Sequence, residues 1–201
     1  MYTVAITGAS GMRYADRLLR FLVEAGHEVN LLISNPGWTV LGEELGWPVS
    51  NWDNRGELIR QRYGPLVKFY DNHDWFSPVA SGSAPSSGMV IIPCSMGTIG
   101  RVAAGISSTL IERSADVCLK ERRKLILVFR ETPLSLIHLE NLTKLAQAGA
   151  TILPAAPSFY HQPKTIEEMV DFVVARVLDQ MGIPHSIVVP WGGAKPGNGG
   201  I

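Results

Sequence analysis

At 201 residues, 46% hydrophobic and 18% charged, the chain is too apolar for a disordered polypeptide and long enough to bury one large core. Its 18 lysines and arginines balance 18 aspartates and glutamates, which removes the global basic field that nucleic acid or an anionic membrane would require, so any anion must be met by a local cluster. No apolar run approaches the roughly 20 residues that span a bilayer, no charged region with a cleavage site opens the chain, and Cys94 and Cys118 alone make no disulfide framework; the expectation is a reduced, cytoplasmic protein.

Tyr2–Ile6 is a short apolar run closed by Gly8, and Asp16–Ala25 follows with Leu18, Leu19, Leu22 and Val23 at helical spacing. Gly26 and His27 end that helix and Val29–Ile33 reads as a second buried strand, so a βαβ unit opens the chain. Gly37–Leu45 is a short helix stopped by Gly46 and Pro48. From Val49 to Ser87 the periodicity fades while prolines, glycines and serines accumulate, which predicts loops around one strand near Leu66–Tyr70. Met89–Ile92 is the third clear strand, and Pro93-Cys94-Ser95 leads into a small-residue helix running to Ala104. Leu110–Leu119 reads as helix, Leu125–Phe129 as strand, Leu134–Ala148 as helix behind Pro133, Thr151–Leu153 as strand and Ile166–Met181 as amphipathic helix. Buried strands alternating with helices predict an α/β fold with a parallel sheet covered on both faces. Residues 1–190 read as one domain, and residues 191–201, with their GGAKPGNGG stretch, as a tail.

Ligands of open α/β sheets sit beyond the carboxyl ends of the strands, where helix N-termini attract anions. Gly8-Ala9-Ser10-Gly11 lies at such a place. A dinucleotide fingerprint wants glycines where Met12 and Tyr14 stand, and an acidic residue ending the second strand. That strand ends Leu32-Ile33-Ser34-Asn35 instead, and a hydroxyl with an amide suits a phosphate better than a ribose diol. Taken alone, the turn is equally a tight bend in which Gly8 and Gly11 relieve crowding and Ser10 caps the helix. The PCSMGT turn after the third strand adds the hydroxyls of Ser95 and Thr98. Hydroxyl-bearing turns at three parallel strand ends fit a mononucleotide such as FMN.

Arg130-Glu131-Thr132-Pro133 follows Leu125–Phe129 directly, at another carboxyl end. Arginine offers a rigid fork to phosphate, and Glu131 can move a proton or stabilise a cation. Arg113 and Lys120 stand seven apart on one helical face, where the plainer reading is a solvated surface; Tyr160 and His161 precede the helix that carries Arg176. Two arginines, a lysine and a tyrosine make a candidate anion pocket distinct from the FMN site.

Together ITGASG, GMVIIPCSMGT, RSADVCLKERRKLILVFRETPLSLIHLENL and FYHQP resemble the flavin prenyltransferases of the UbiX family, from about Thr3 to Trp191 with an interruption between about Gly46 and His73. The resemblance implies a flavodoxin-like Rossmann fold and a homo-oligomer, usually a dodecamer. It implies transfer of the dimethylallyl group of dimethylallyl phosphate to N5 and C6 of reduced FMN, without a metal. The product, prenylated FMN, would pass to a UbiD-type decarboxylase. Residue by residue, Gly8, Ala9 and Ser10 would contact the flavin, with Ser10 near N5. Ser34 would bind its phosphate, Ser95, Met96, Gly97 and Thr98 would form the second flavin turn, and Arg130 would belong to the flavin set as well. Lys120, Arg130, Tyr160 and Arg176, with Arg113 from a neighbouring subunit, would hold the prenyl phosphate. Glu44 and Glu131 would lie near the reacting centre and Trp191 over the prenyl pocket, making Ser10, Glu44, Glu131 and Lys120 the catalytic set.

Elementary chemistry agrees with that scheme. Fixed cations stabilise a departing phosphate, and a cationic prenyl fragment needs an aromatic, water-poor enclosure. There is no aspartate-rich diphosphate motif, and His27, His73, His138, His161 and His185 have no metal-ligand spacing. Met12-Arg13-Tyr14-Ala15 departs from the small residues usual in the family, and Gly97 stands where lysine is common. A flavin-dependent cysteine decarboxylase, the related alternative, would want a histidine on the first helix, and residues 11–25 contain none. A flavin carrier would need the FMN site and no second anion pocket.

Overall fold

Alternate residues of each strand face opposite layers, and here both layers are apolar. In the computed structural model, which describes residues 1–49 and 54–189, six parallel strands form one sheet in the order β3-β2-β1-β4-β5-β6. They are β1 (Tyr2–Ile6), β2 (Val29–Ile33), β3 (Val67–Tyr70), β4 (Met89–Cys94), β5 (Leu125–Phe129) and β6 (Thr151–Pro154). Val4, Ile6, Leu31, Ile33, Val90 and Val128 pack on one side, against Leu18, Leu19 and Leu22 of α1 (Met12–Glu24) and Val173, Val174 and Val177 of α7 (Ile166–Met181). Trp38 of α2 (Asn35–Leu45) and Ile59 of α3 (Arg55–Tyr63) extend that layer. Ala5, Leu32, Ile91, Leu125 and Leu127 face the other way, onto α4 (Met96–Ala103), α5 (Leu110–Lys120) and α6 (Leu136–Gln147). Burial on both faces is why the strands read as continuous apolar runs.

The chain winds from β1 outward to β3, then crosses back to place β4 beside β1. This reversal opens a crevice beyond the carboxyl ends of β1 and β4, the position at which doubly wound sheets take ligands.

Three departures from the expected elements have a physical reason in specific contacts. α1 starts at Met12 rather than Asp16 because its first N–H groups find an acceptor far along the chain, described below. α2 starts at Asn35 because the Ser34 side chain caps it. α3 falls in the stretch expected to be loop: its buried stripe is Arg55, Ile59 and Tyr63, and a stripe containing an arginine leaves no apolar period. The Arg55 guanidinium lies 4.7 Å from the centroid of the Trp38 ring, which offsets its burial. The expected tail, with Trp191, lies outside the described residues.

Arg13, unaccounted for by the family pattern, is a surface residue. It pairs with Glu167 at 3.3 Å, and one turn later Arg17 pairs with Asp171 at 2.5 Å, so the two arginines lace α1 to α7.

Candidate functional site

The crevice is built from backbone turns held by side-chain hydroxyls. Thr7, buried just past β1, donates from Oγ1 to the Pro93 carbonyl at 2.9 Å and accepts from the Ser95 N–H at 2.7 Å. It thereby pins the turn after β1 to the turn after β4. Gly8 follows, and a Cβ there would come within 2.4 Å of Pro36 Cβ, so only glycine lets the first turn of α2 lie against it. Ala9 is buried and Ser10 exposed. Ser34 caps α2, its Oγ accepting from the Gly37 N–H at 3.1 Å. Ser95 caps α4 by accepting from the Thr98 N–H at 3.3 Å, and its hydroxyl pairs with the Thr98 hydroxyl at 3.0 Å. Met96 and Gly97 occupy the first turn of α4, whose N–H groups have no acceptor within the helix. Two helix N-termini thus border one open cleft, lined among others by Thr7, Gly8, Ser34, Asn35, Ser95 and Thr98.

A third helix N-terminus in the neighbourhood is closed. The N-cap of α1 is Gly11, at φ 117° and without a side-chain cap; Ser10, expected to cap this helix, does not. Glu44, in the last turn of α2, takes that role. Its two oxygens accept from the Gly11 N–H at 3.1 and 3.0 Å, and one of them accepts from the Met12 N–H at 2.8 Å. The carboxylate so placed neutralises the positive end of α1. In a dinucleotide-binding protein that end receives the pyrophosphate, so the structure turns the first βα turn away from NAD by charge as well as by missing glycines. Burial, and then the charge of Glu44, raise the Tyr14 phenol above its ordinary pKa.

Two charged cleft residues, Arg101 and Glu112, escaped the sequence reading. Arg101, on the last turn of α4, lines the cleft, ion-pairs through Nε with Oε1 of Glu112 and donates from Nη2 to the Thr98 hydroxyl at 3.4 Å. Glu112 is 1% exposed. Its Oε2 accepts from the Ser108 N–H and hydroxyl, each at 2.8 Å, and from the Thr109 N–H at 3.0 Å. Burial by itself would push this carboxyl up, but the hydrogen bonds from Arg101 and Ser108 and the arginine charge outweigh it and hold it below the usual carboxylate range. The Thr109-x-x-Glu112 spacing is a capping box legible in the sequence; the partnership of Glu112 with Arg101 is not.

The donors around the cleft fit FMN. Hydroxyls, two open helix N-termini, an amide and a guanidinium match a phosphate and a ribityl chain, and the one carboxylate among the lining residues, Glu112, is already paired. Gly97 suits the place: a Cβ there would lie 3.3 Å from Arg101 Nη1, so a long side chain would crowd the arginine.

The second set of expected residues is not gathered in the same way. Arg130 is exposed just past β5 and does not line the cleft. Glu131 beside it is half-buried and accepts from the Thr132 N–H at 3.1 Å. Arg176 pairs with Asp179 at 2.6 Å on the exposed side of α7, and Tyr160 stands edge-on to Phe172, 5.9 Å between centroids. Arg113 donates to the Ala80 carbonyl at 3.0 Å and to Asp116 at 2.8 Å. Lys120 ends α5, ahead of β5, where it ion-pairs with Glu121. It therefore stands at the amino end of the strands whose carboxyl end carries Arg130, and a five-residue strand spans about 16 Å. A single chain does not bring Lys120 to Arg130.

A family model described as Flavoprotein matches residues 2–178. The chain is 48% identical over 195 residues to the flavin prenyltransferase UbiX of Halalkalibacterium halodurans, covering 96% of this chain and 93% of that one. A crystal structure of AnUbiX in complex with FMN and dimethylallyl pyrophosphate matches with a TM-score of 0.87 at 35% identity, over 96% of this chain and 98% of that one. A dodecameric FMN-dependent UbiX-like decarboxylase from Escherichia coli O157:H7 matches at 0.85 and 36% identity, over 95% and 99%.

Proposed function

The chain belongs to the flavoprotein family and, within it, to the flavin prenyltransferases of the UbiX type, and on that premise we propose that it joins the dimethylallyl group of dimethylallyl phosphate to N5 and C6 of reduced FMN. Reduced FMN, bound in the cleft, supplies the nucleophilic positions of its ring. The observation that carries the reading is a cleft lined by hydroxyls, amides and a guanidinium at the β1/β4 switch point beside an α1 N-terminus closed by Glu44. Ser34 and the first turn of α4 hold the phosphate and ribityl end. Gly8 and Ala9 would let the ring approach the backbone, and the exposed Ser10 hydroxyl would face N5. Glu44, with its oxygens committed to the α1 backbone, holds the turn that presents Ser10. Glu131 is placed to move protons as the ring closes, since C6 loses one and the prenyl alkene carbon next to the new bond gains one.

The prenyl phosphate meets Arg130, Tyr160 and Arg176 of one subunit and Lys120 and Arg113 of another, because Lys120 and Arg130 lie at opposite ends of β5 within one chain. The cations stabilise the departing phosphate electrostatically; Trp191, the aromatic expected over the prenyl group, lies outside the described residues. Such a site needs an oligomer, and the exposed apolar face of α6, with Leu136 70% and Ile137 68% exposed, supports one; the assembly is a homododecamer. Prenylated FMN then goes to a UbiD-type decarboxylase. No helix among the described residues is long and apolar enough to cross a membrane, and the described residues hold no group of three or more His, Cys, Asp or Glu suited to a metal.

The test is anaerobic incubation of the protein with reduced FMN and dimethylallyl phosphate, followed by mass measurement of the flavin, with the diphosphate as a second donor. A flavin heavier by one prenyl unit is expected. Unchanged flavin mass with FMN bound would make the protein a flavin carrier.

A further inference from the structure

Glu112 has two oxygens and two occupations. Oε2 serves the start of α5, taking three donors from Ser108 and Thr109. Oε1 is spent on Arg101, eleven residues away on the preceding helix. Capping α5 does not require that second contact, and an arginine with 46% side-chain exposure does not need a buried partner. Among the described residues lining the cleft, Arg101 is the only arginine or lysine. A guanidinium has five N–H donors in a planar fork. Arg101 spends Nε on Glu112 and one Nη2 hydrogen on Thr98, which leaves three.

We infer that Arg101 is the cation that holds the phosphate end of the flavin and that Glu112 is its positioning residue, fixing the guanidinium at the cleft wall before the ligand arrives. The inference rests on FMN being the ligand of this cleft. A phosphate there is met from three directions, by the N-termini of α2 and α4 and by a charged fork whose rotamer freedom is already spent on protein contacts. The lowered pKa of Glu112 agrees with a carboxylate kept ionised to hold a cation.

The experiment compares FMN with riboflavin, which has the same ring and ribityl chain and lacks the phosphate. Wild-type protein binds FMN more tightly than riboflavin; no preference would refute the phosphate reading of the cleft itself. Arg101→Ala and Glu112→Gln each weaken FMN binding about tenfold or more, with riboflavin affinity held within twofold. Ser108→Ala, which removes an α5 contact and spares the Arg101 pair, leaves both affinities in place. The double variant Arg101→Ala/Glu112→Gln binds FMN no worse than Arg101→Ala, since Glu112 acts through the arginine. Equal loss of FMN and riboflavin in Glu112→Gln, or additive losses in the double variant, would make Glu112 a structural cap and overturn the inference. Should Glu112→Gln fail to fold, Arg101→Ala and the double variant, which removes both charges, still decide it.

Discussion

The flavin cleft and the cation set assigned to the prenyl phosphate differ in what holds them. Apart from Arg101 and its partner Glu112, the cleft is made of short side chains and backbone: Thr7 ties two turns, Ser34 and Ser95 cap two helices, and Gly8 is pressed against Pro36. Every one of these groups is fixed by the strand ends of a single sheet. The second set consists of long side chains on the surface. Arg176 and Lys120 are paired with neighbours on their own helices or adjacent to them, and Lys120 faces away from Arg130 by the length of a strand. Backbone-built sites are complete in one chain; side-chain-built ones can be completed by another copy, because a long flexible cation reaches across an interface at little cost to the fold.

The largest test of that contrast separates the two regions by subunit. Lys120→Ala and Arg176→Ala are each expected to slow prenyl transfer about 100-fold while leaving FMN affinity and melting temperature close to wild type. Co-expressed, the two inactive chains should recover roughly a quarter of wild-type activity, the chance that a site draws an intact Lys120 from one chain and an intact Arg176 from another. Absence of recovery in mixed oligomers would put both residues in the same chain's site or Lys120 outside it.

A smaller effect, with the opposite signature, is expected in the cleft. Gly8→Ala forces a Cβ to within 2.4 Å of Pro36 Cβ and should cost about 1–3 kcal/mol of stability, visible as a lower melting temperature together with weaker FMN binding. A variant that melts and binds like wild type would show that the contact with Pro36 relaxes freely and that the cleft is less rigid than its hydrogen bonds imply. The smallest effect belongs to Arg13→Ala. Its ion pair with Glu167 is exposed at 53% and 73%, so no more than about 0.5 kcal/mol is expected, with FMN affinity unchanged in a titration. A strong loss of FMN would return Arg13 to the flavin site.

How much could be read in advance follows the same division. Strands buried on both faces announce themselves as apolar runs, so β1, β2, β4 and β5 were legible, and Ser34 and Ser95 stood out as hydroxyls at strand ends, whereas the helix caps they form did not. α3 was not, because Arg55 sits in its buried stripe and is accommodated by Trp38 of another helix. Arg101 was not, because nothing in its own helix distinguishes it from a solvated arginine. Glu44 was legible as a candidate acid, and its hydrogen bonds to Gly11 and Met12, 33 and 32 residues away, were not.

By itself the amino-acid sequence determined the parallel sheet, the hydroxyl turns at three strand ends and the family to which those turns belong, since each depends on neighbours a few residues apart. Tertiary structure alone decided which helix N-termini stay open to an anion, which arginine lines the cleft and which cations one chain keeps apart. Those outcomes depend on how crossovers bring α2 against α1 and α4 against α5, and on which end of a strand a side chain occupies. Local pattern carries no record of either.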